Sequence, residues 1–255
     1  MIMMTHSAAS AAMDMAEPAA GGPAEVALDR NLLLANGIFG LEDADRRARS
    51  FILLRSQIMS GFYADGGRVL AVTSTQAGNG KSFVAANLAC ALSLIHPTVL
   101  IDLDLRRPTI GERFGLTVKT GVDDYLSERC EWPDVGQKVA GLNLKLYPVR
   151  ARCLQSSSLL ASDRLAGAMQ AVRAAPDQPI CIIDTPPALI LDDIMLISRH
   201  AAGIMLVLEE GRTTERDVIE VRRLLSSTRV IGAVLNRSMT GQHTGYDYGY
   251  YDVGR

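Results

Sequence analysis

Arg68-Val69-Leu70-Ala71-Val72-Thr73-Ser74-Thr75-Gln76-Ala77-Gly78-Asn79-Gly80-Lys81-Ser82 begins apolar and ends on Gly-Lys-Ser. The run Arg68–Ser74 reads as a buried strand, and Gly80–His96 reads as a helix stopped by Pro97. A strand, a glycine-containing loop and a helix in that order form an anion nest. Backbone N–H groups converge there, and the helix N-terminus adds its dipole and unpaired donors. Gly78 and Gly80 leave room for phosphate oxygens, Lys81 would pair with the β and γ phosphates, and Ser82 would place its hydroxyl on Mg²⁺. Gly-Lys-Ser by itself also occurs in ordinary loops, so the strand–loop–helix setting carries the reading. The usual pattern has a further glycine where this chain has Thr75.

Outward from this loop, short apolar runs alternate with helical stretches. Strands are expected at Thr98–Leu103, Leu142–Val149, Ile180–Asp184, Gly203–Leu208 and Arg229–Asn236, and helices at Ser158–Ala175, Asp193–Ala201 and Thr214–Ser226. The strands are continuously apolar, which predicts helices on both faces of a largely parallel sheet, an α/β fold of the P-loop NTPase type. Residues 28–65 look helical, with Phe51, Leu54 and Ile58 at helical spacing. The expected organisation is a disordered Ala/Met-rich tail at 1–27, a helical segment at 28–65, an ATP-binding domain at 66–240 and a tyrosine-rich tail at 241–255.

Composition narrows the function classes. The 255 residues are 48% apolar and 21% charged, with a net charge of −2, which supplies a core but no basic field for nucleic acid or anionic lipid. The first 29 residues contain no Lys or Arg, so the basic start of a secretory signal is missing, and no run is long enough to span a membrane. A cytoplasmic chain is expected, with membrane recruitment through a partner. Cys90, Cys130, Cys153 and Cys181 form no Cys-x-x-Cys pair and read as reduced thiols.

Two strand ends are acidic. Asp102 and Asp104 follow Val99-Leu100-Ile101, and Asp184 follows Ile182-Ile183 and precedes Thr185-Pro186-Pro187. Ligands of open α/β sheets bind at the carboxyl ends of the strands. Three carboxylates beside one phosphate loop therefore fit an Mg–ATP site with a base to spare; taken singly, each reads equally well as a solvated turn residue.

The patterns Asp-x-Asp-x-Arg at Asp102–Arg106 and Asp-x-x-Pro at Asp184–Pro187, with the degenerate loop at Thr73–Ser82, resemble the bacterial tyrosine autokinases of exopolysaccharide assembly. Supporting pieces are Phe51–Gln57, Leu159–Ser162, Asp193 and Gly232–Asn236, and the resemblance covers roughly residues 28–255. It implies that Lys81 binds ATP phosphates within a nucleotide site of Ala77, Gly78, Asn79, Gly80, Lys81, Ser82 and Phe83. It implies Mg²⁺ on Ser82 and Asp184, with Asp102 as a further candidate, and a role for Asp102 or Asp104 in orienting or deprotonating the attacking tyrosine. Asn236 is implied as an adenine contact. The free-standing form of this family works with a separate membrane-embedded polysaccharide co-polymerase that activates it. A Glu-x-x-Arg-x-x-Arg motif that assembles rings in part of the family is represented only by Arg49, Ile52 and Arg55, and Ala77 and Asn79 stand where relatives often have Pro and an acid.

Four of the seven tyrosines, Tyr246, Tyr248, Tyr250 and Tyr251, fall in the last ten residues. Beside an ATP site they read as phosphoacceptors, and self-association would let one copy modify another; without such a site they read as a polar–aromatic low-complexity segment. The competing function is a non-kinase P-loop ATPase or nucleotide switch, either of the positioning type or as a scaffold regulator of the co-polymerase. The positioning type carries a second lysine where this chain has Gln76.

Overall fold

The computed structural model describes residues 24–42, 44–190 and 192–238. In chain order the elements are β1 (Ala24–Val26), α1 (Arg30–Ala35), α2 (Arg49–Gln57), β2 (Val69–Ser74), α3 (Lys81–Ser93) and β3 (Thr98–Asp102). They continue with α4 (Ile110–Arg113), α5 (Val122–Leu126), β4 (Gln137–Val139), β5 (Leu144–Tyr147), α6 (Ser156–Leu160) and α7 (Asp163–Arg173). The last are β6 (Ile180–Asp184), α8 (Asp193–Ser198), β7 (Gly203–Glu209), α9 (Glu215–Leu224) and β8 (Val230–Asn236). The strands form one sheet in the order β1-β4-β5-β3-β6-β2-β7-β8, and every neighbouring pair is parallel except β4 with β5.

Every residue of β2, β3 and β6 is buried, as expected of strands covered on both faces. Period-two alternation divides them: Leu70, Val72, Leu100 and Ile182 pack with α3, whereas Val69, Ile101 and Ile183 pack with α7. α3 is buried almost throughout. Its Asn87 is fully buried because its side chain replaces backbone partners: Oδ1 accepts from Phe39 N (2.6 Å) and Gly40 N (3.0 Å), and Nδ2 donates to Gly37 O and Phe83 O. This pins the segment after α1 against the helix that carries the phosphate loop.

The structure adds α4, α5 and β4, where no element was expected, and differs from the sequence expectation in three further places. The helix expected over Ser158–Ala175 is two helices, because Ala161 ends α6 and Ser162 starts α7 with extended backbone. The segment 28–65 is α1, then α2 continuing into a π-helical stretch over Ile58–Tyr63. Ala24–Val26, inside the tail expected to be disordered, is a strand pairing with β4. Among the described residues all four cysteines are free thiols, and no helix is long and apolar enough to cross a membrane.

Candidate active site

The carboxyl ends of β2, β3 and β6 lie at one edge of the sheet, and the segments leaving them border a cleft of about 920 Å³. Ala77, Gly78, Gly80, Lys81, Ser82 and Phe83 line it from the loop and α3. Gly78 and Gly80 have φ of +89° and +94°, a region glycine enters without cost. Asn79 faces away and is fully buried. Its Oδ1 accepts from Gln76 N (2.8 Å) and Thr75 Oγ1 (3.2 Å), so the hydroxyl at the departing Thr75 braces the loop from within.

Lys81 and the acidic strand ends converge. Lys81 Nζ is 2.8 Å from Asp104 Oδ2, 3.5 Å from Asp184 Oδ1 and 3.0 Å from Ser82 Oγ. Burial works against the lysine's charge, but Asp184 and Asp104 outweigh it and its pKa is raised, so Lys81 stays cationic. Asp184 is fully buried, and burial pushes its carboxyl pKa upward against the pull of Lys81. Its Oδ2 has no hydrogen-bond partner.

Asp102 and Asp104 hold different positions. Asp104 lines the cleft, and its Oδ1 accepts from Arg107 N (3.0 Å). Asp102 is fully buried, and its carboxylate accepts from three backbone amides: Asp104 N (3.1 Å), Thr109 N (3.0 Å) and Ile110 N (3.1 Å). It is also in register with Asp184 on the neighbouring strand. Burial, reinforced by the Asp184 charge, raises its pKa. Asp102 thus shapes the segment that presents Asp104.

No protein-family model matches the chain. It is 34% identical over 191 residues to the tyrosine-protein kinase Wzc of Salmonella typhimurium, an alignment covering 72% of this chain and 26% of that protein. It is 30% identical over 183 residues to the tyrosine-protein kinase YwqD of Bacillus subtilis, covering 71% of this chain and 76% of YwqD. The chain belongs to the bacterial tyrosine-protein kinase family. It spans about a quarter of Wzc but most of YwqD. Among solved structures, the kinase domain of the Escherichia coli tyrosine kinase ETK superposes with a TM-score of 0.69 at 26% identity, covering 83% of this chain and 84% of that one.

Within this family fold, Asn236 lies at the cleft with its amide nitrogen committed: Nδ2 donates to Asn79 O at 2.8 Å. That bond uses one of the two Nδ2 hydrogens, which leaves the second N–H and the amide oxygen without a partner in this contact. Sequence reasoning passes over Glu209 at the end of β7. Its carboxylate accepts from Asn79 Nδ2 (2.9 Å), Arg212 Nη1 (3.2 Å) and Arg237 Nη1 (2.5 Å), and these contacts, Arg237 foremost, hold its pKa below the usual range. Its place directly after the apolar run Gly203–Leu208 is the one sequence signal that marks it. The singled-out Asp193 is fully buried, accepts from Ser156 Oγ and Ser157 Oγ (both 2.6 Å) and lies outside the Lys81 cluster. Tyr246, Tyr248, Tyr250 and Tyr251 lie outside the described residues.

Proposed function

We propose that the protein is an ATP-dependent protein-tyrosine autokinase that phosphorylates Tyr246, Tyr248, Tyr250 and Tyr251. The observation that carries this reading is the convergence of Asp104, Asp184 and Ser82 on Lys81, beside a cleft lined by Lys81, Ser82 and Asp104, in a chain of the tyrosine kinase family. The backbone amides of the loop and Lys81 bind the phosphates, and Lys81 offsets the charge that develops during transfer. The site fits Mg²⁺: the buried, unpartnered Asp184 Oδ2 and the Ser82 hydroxyl are hard oxygen donors, the kind this ion takes alongside phosphate and water. Bound there, Mg²⁺ would neutralise phosphate charge.

A tyrosine hydroxyl has a pKa of about 10 and needs a positioned acceptor for its proton at neutral pH. Asp104 is the proposed group, because it reaches the cleft whereas Asp102 is committed to backbone amides. The tyrosine oxygen forms the new bond to the γ-phosphorus, the bond to ADP breaks, and the proton passes to Asp104. The resemblance to the autokinases of exopolysaccharide assembly supports a role in polymerisation or export. It also supports a membrane-embedded co-polymerase as the partner that recruits the protein to the inner face of the membrane.

The test is incubation of the purified protein with ATP and Mg²⁺, with and without a candidate co-polymerase, and localisation of phosphate by mass spectrometry. Phosphate on Tyr246–Tyr251 that is lost in Lys81→Met is expected. ATP hydrolysis without phosphotyrosine, even with the co-polymerase present, overturns the kinase reading in favour of a nucleotide switch.

A further inference from the structure

The strand order places the two ends of the cleft on opposite sides of the phosphate loop. β7 and β8 lie to one side of β2, where Asn236 and Arg237 border the cleft. β6 and β3 lie to the other, where the segment leaving β3 brings Arg106, Arg107 and Arg113 to the same cleft. Phosphate binding already has the loop amides and Lys81, so these three guanidinium groups are surplus to it.

Each is placed differently. Arg106 Nε donates to Ser156 Oγ (2.7 Å), whose hydroxyl donates to the buried Asp193 (2.6 Å), a chain that fixes the guanidinium from behind. Arg107 is exposed, with no side-chain partner among the described residues. Arg113 donates from Nη1 to Asn36 O (3.2 Å), and its buried Nε has no partner; the Thr109 hydroxyl beside it is buried and unpartnered too. The acids nearby are committed: Asp104 to Lys81, and Asp193 to the two serines and, at 3.7 Å, to Arg106, which leaves the charges of Arg107 and Arg113 uncompensated by them. This end is therefore net cationic, with donors to spare. It also carries two exposed large apolar side chains, Leu154 (77% exposed) and Ile190 (54%).

We propose that this end of the cleft is an acceptor subsite selecting a tyrosine flanked by anionic groups, carboxylate or phosphate. The proposal rests on the kinase reading and names its substrate class. The tyrosine ring lies against Leu154 and Ile190, and Arg107 and Arg113 bind the flanking anions through charge-assisted hydrogen bonds. The chain carries such a segment itself in Tyr246-Asp247-Tyr248 and Tyr251-Asp252. A phosphate on one tyrosine adds about −1.5 to −2 charge beside the next, so each modification improves the neighbouring acceptor.

The test uses the full chain and three peptides that differ only around one tyrosine, flanked by Asp, by Asn, or by phosphotyrosine. Fluorescence anisotropy without ATP is expected to show the Asp and phosphotyrosine peptides binding about tenfold more tightly than the Asn peptide, the worth of one good charge-assisted contact. Their kcat/KM values should exceed that of the Asn peptide by a similar factor. In the double variant Arg107→Gln/Arg113→Gln both ratios should fall toward one, and lysine at the same two positions should restore part of each. Equal binding of the three peptides overturns the proposal, as does a rise in the KM for ATP as large as that for the Asp peptide. Absence of phosphotyrosine from the chain and from every peptide, with selective binding intact, overturns instead the kinase reading.

Discussion

Asn236 Nδ2 donates to the carbonyl oxygen of Asn79 at 2.8 Å, joining the end of the last strand to the phosphate loop. The contact is close enough to dictate the residue between them. A Cβ on Gly80 would stand 2.1 Å from Asn236 Nδ2, on a backbone already at φ +94°. Gly80→Ala is therefore expected to move the loop or Asn236 and to cost about 1–3 kcal/mol of stability. Asn236→Ala removes the strut together with the side-chain amide that borders the cleft. It should raise the KM for ATP by about tenfold, a loss of roughly one hydrogen bond's worth of loop order, while thermal unfolding changes little. An unchanged KM in Asn236→Ala would refute the strut.

Asp102 and Asp104, two residues apart, should separate cleanly on mutation. Asp102→Asn retains the size of the side chain but leaves one of its oxygen positions as a donor facing backbone N–H groups. Three amide bonds anchor there, so unfolding free energy should fall by about 2–4 kcal/mol. Asp104→Asn keeps the fold, since its side chain makes one backbone contact and one ion pair. Its turnover should drop by about 100-fold or more as the proton acceptor is lost. Chemical denaturation and phosphotyrosine initial rates, measured on both variants, check the pair.

Lys81→Met leaves Asp104 and Asp184 without the cation that sits 2.8 and 3.5 Å from them. Two buried carboxylates near each other cannot both stay charged at no cost. The variant should abolish phosphotyrosine formation and also shift Asp184 further toward the neutral acid. Carboxylate NMR titration should show that second effect as an upward displacement of the Asp184 pKa relative to the wild type.

Much of this site was legible in the sequence because chain-local patterns built it: Lys81 and Ser82 follow a strand and open a helix, and Asp102, Asp104 and Asp184 end apolar runs. What the sequence did not reveal depends on distant partners. Asp102 and Asp104 have the same chemistry and spacing, and only the path of residues 104–110 decides which one reaches the cleft. Glu209 has Arg212 three residues on but is distant in sequence from Asn79 and Arg237, so its role at the loop exists only once β7 lies beside β2 and β8. β1 is three residues long and has no periodicity to detect; pairing with β4 makes it a strand. The break between α6 and α7 carries neither Gly nor Pro; its mark is that the buried positions step from Leu160 to Leu165 across Ser162 and Asp163.

The carboxylate of Asp124 predicts an acid-sensitive anchor for the segment entering the cleft wall. It accepts from Arg150 Nε and Nη2 (both 2.6 Å), Arg129 Nε (2.9 Å) and Gly121 N (3.0 Å). The Arg150 hydrogen bonds are the main reason its pKa lies well below the usual range. A carboxyl with a depressed folded-state pKa contributes stability that is complete above the unfolded value of about 3.9 and is lost as pH falls through the folded one. Because both arginines are partly exposed to solvent, which screens the pair, Asp124→Asn should cost about 1–2 kcal/mol at pH 7. The difference between wild type and variant should hold from pH 7 to about 5 and shrink steadily below pH 4, as the wild-type carboxylate loses its advantage over the neutral amide. Urea unfolding of both proteins across that range measures it. A difference that stays constant into strong acid would show that Asp124 anchors Arg150 through geometry alone, without the charge.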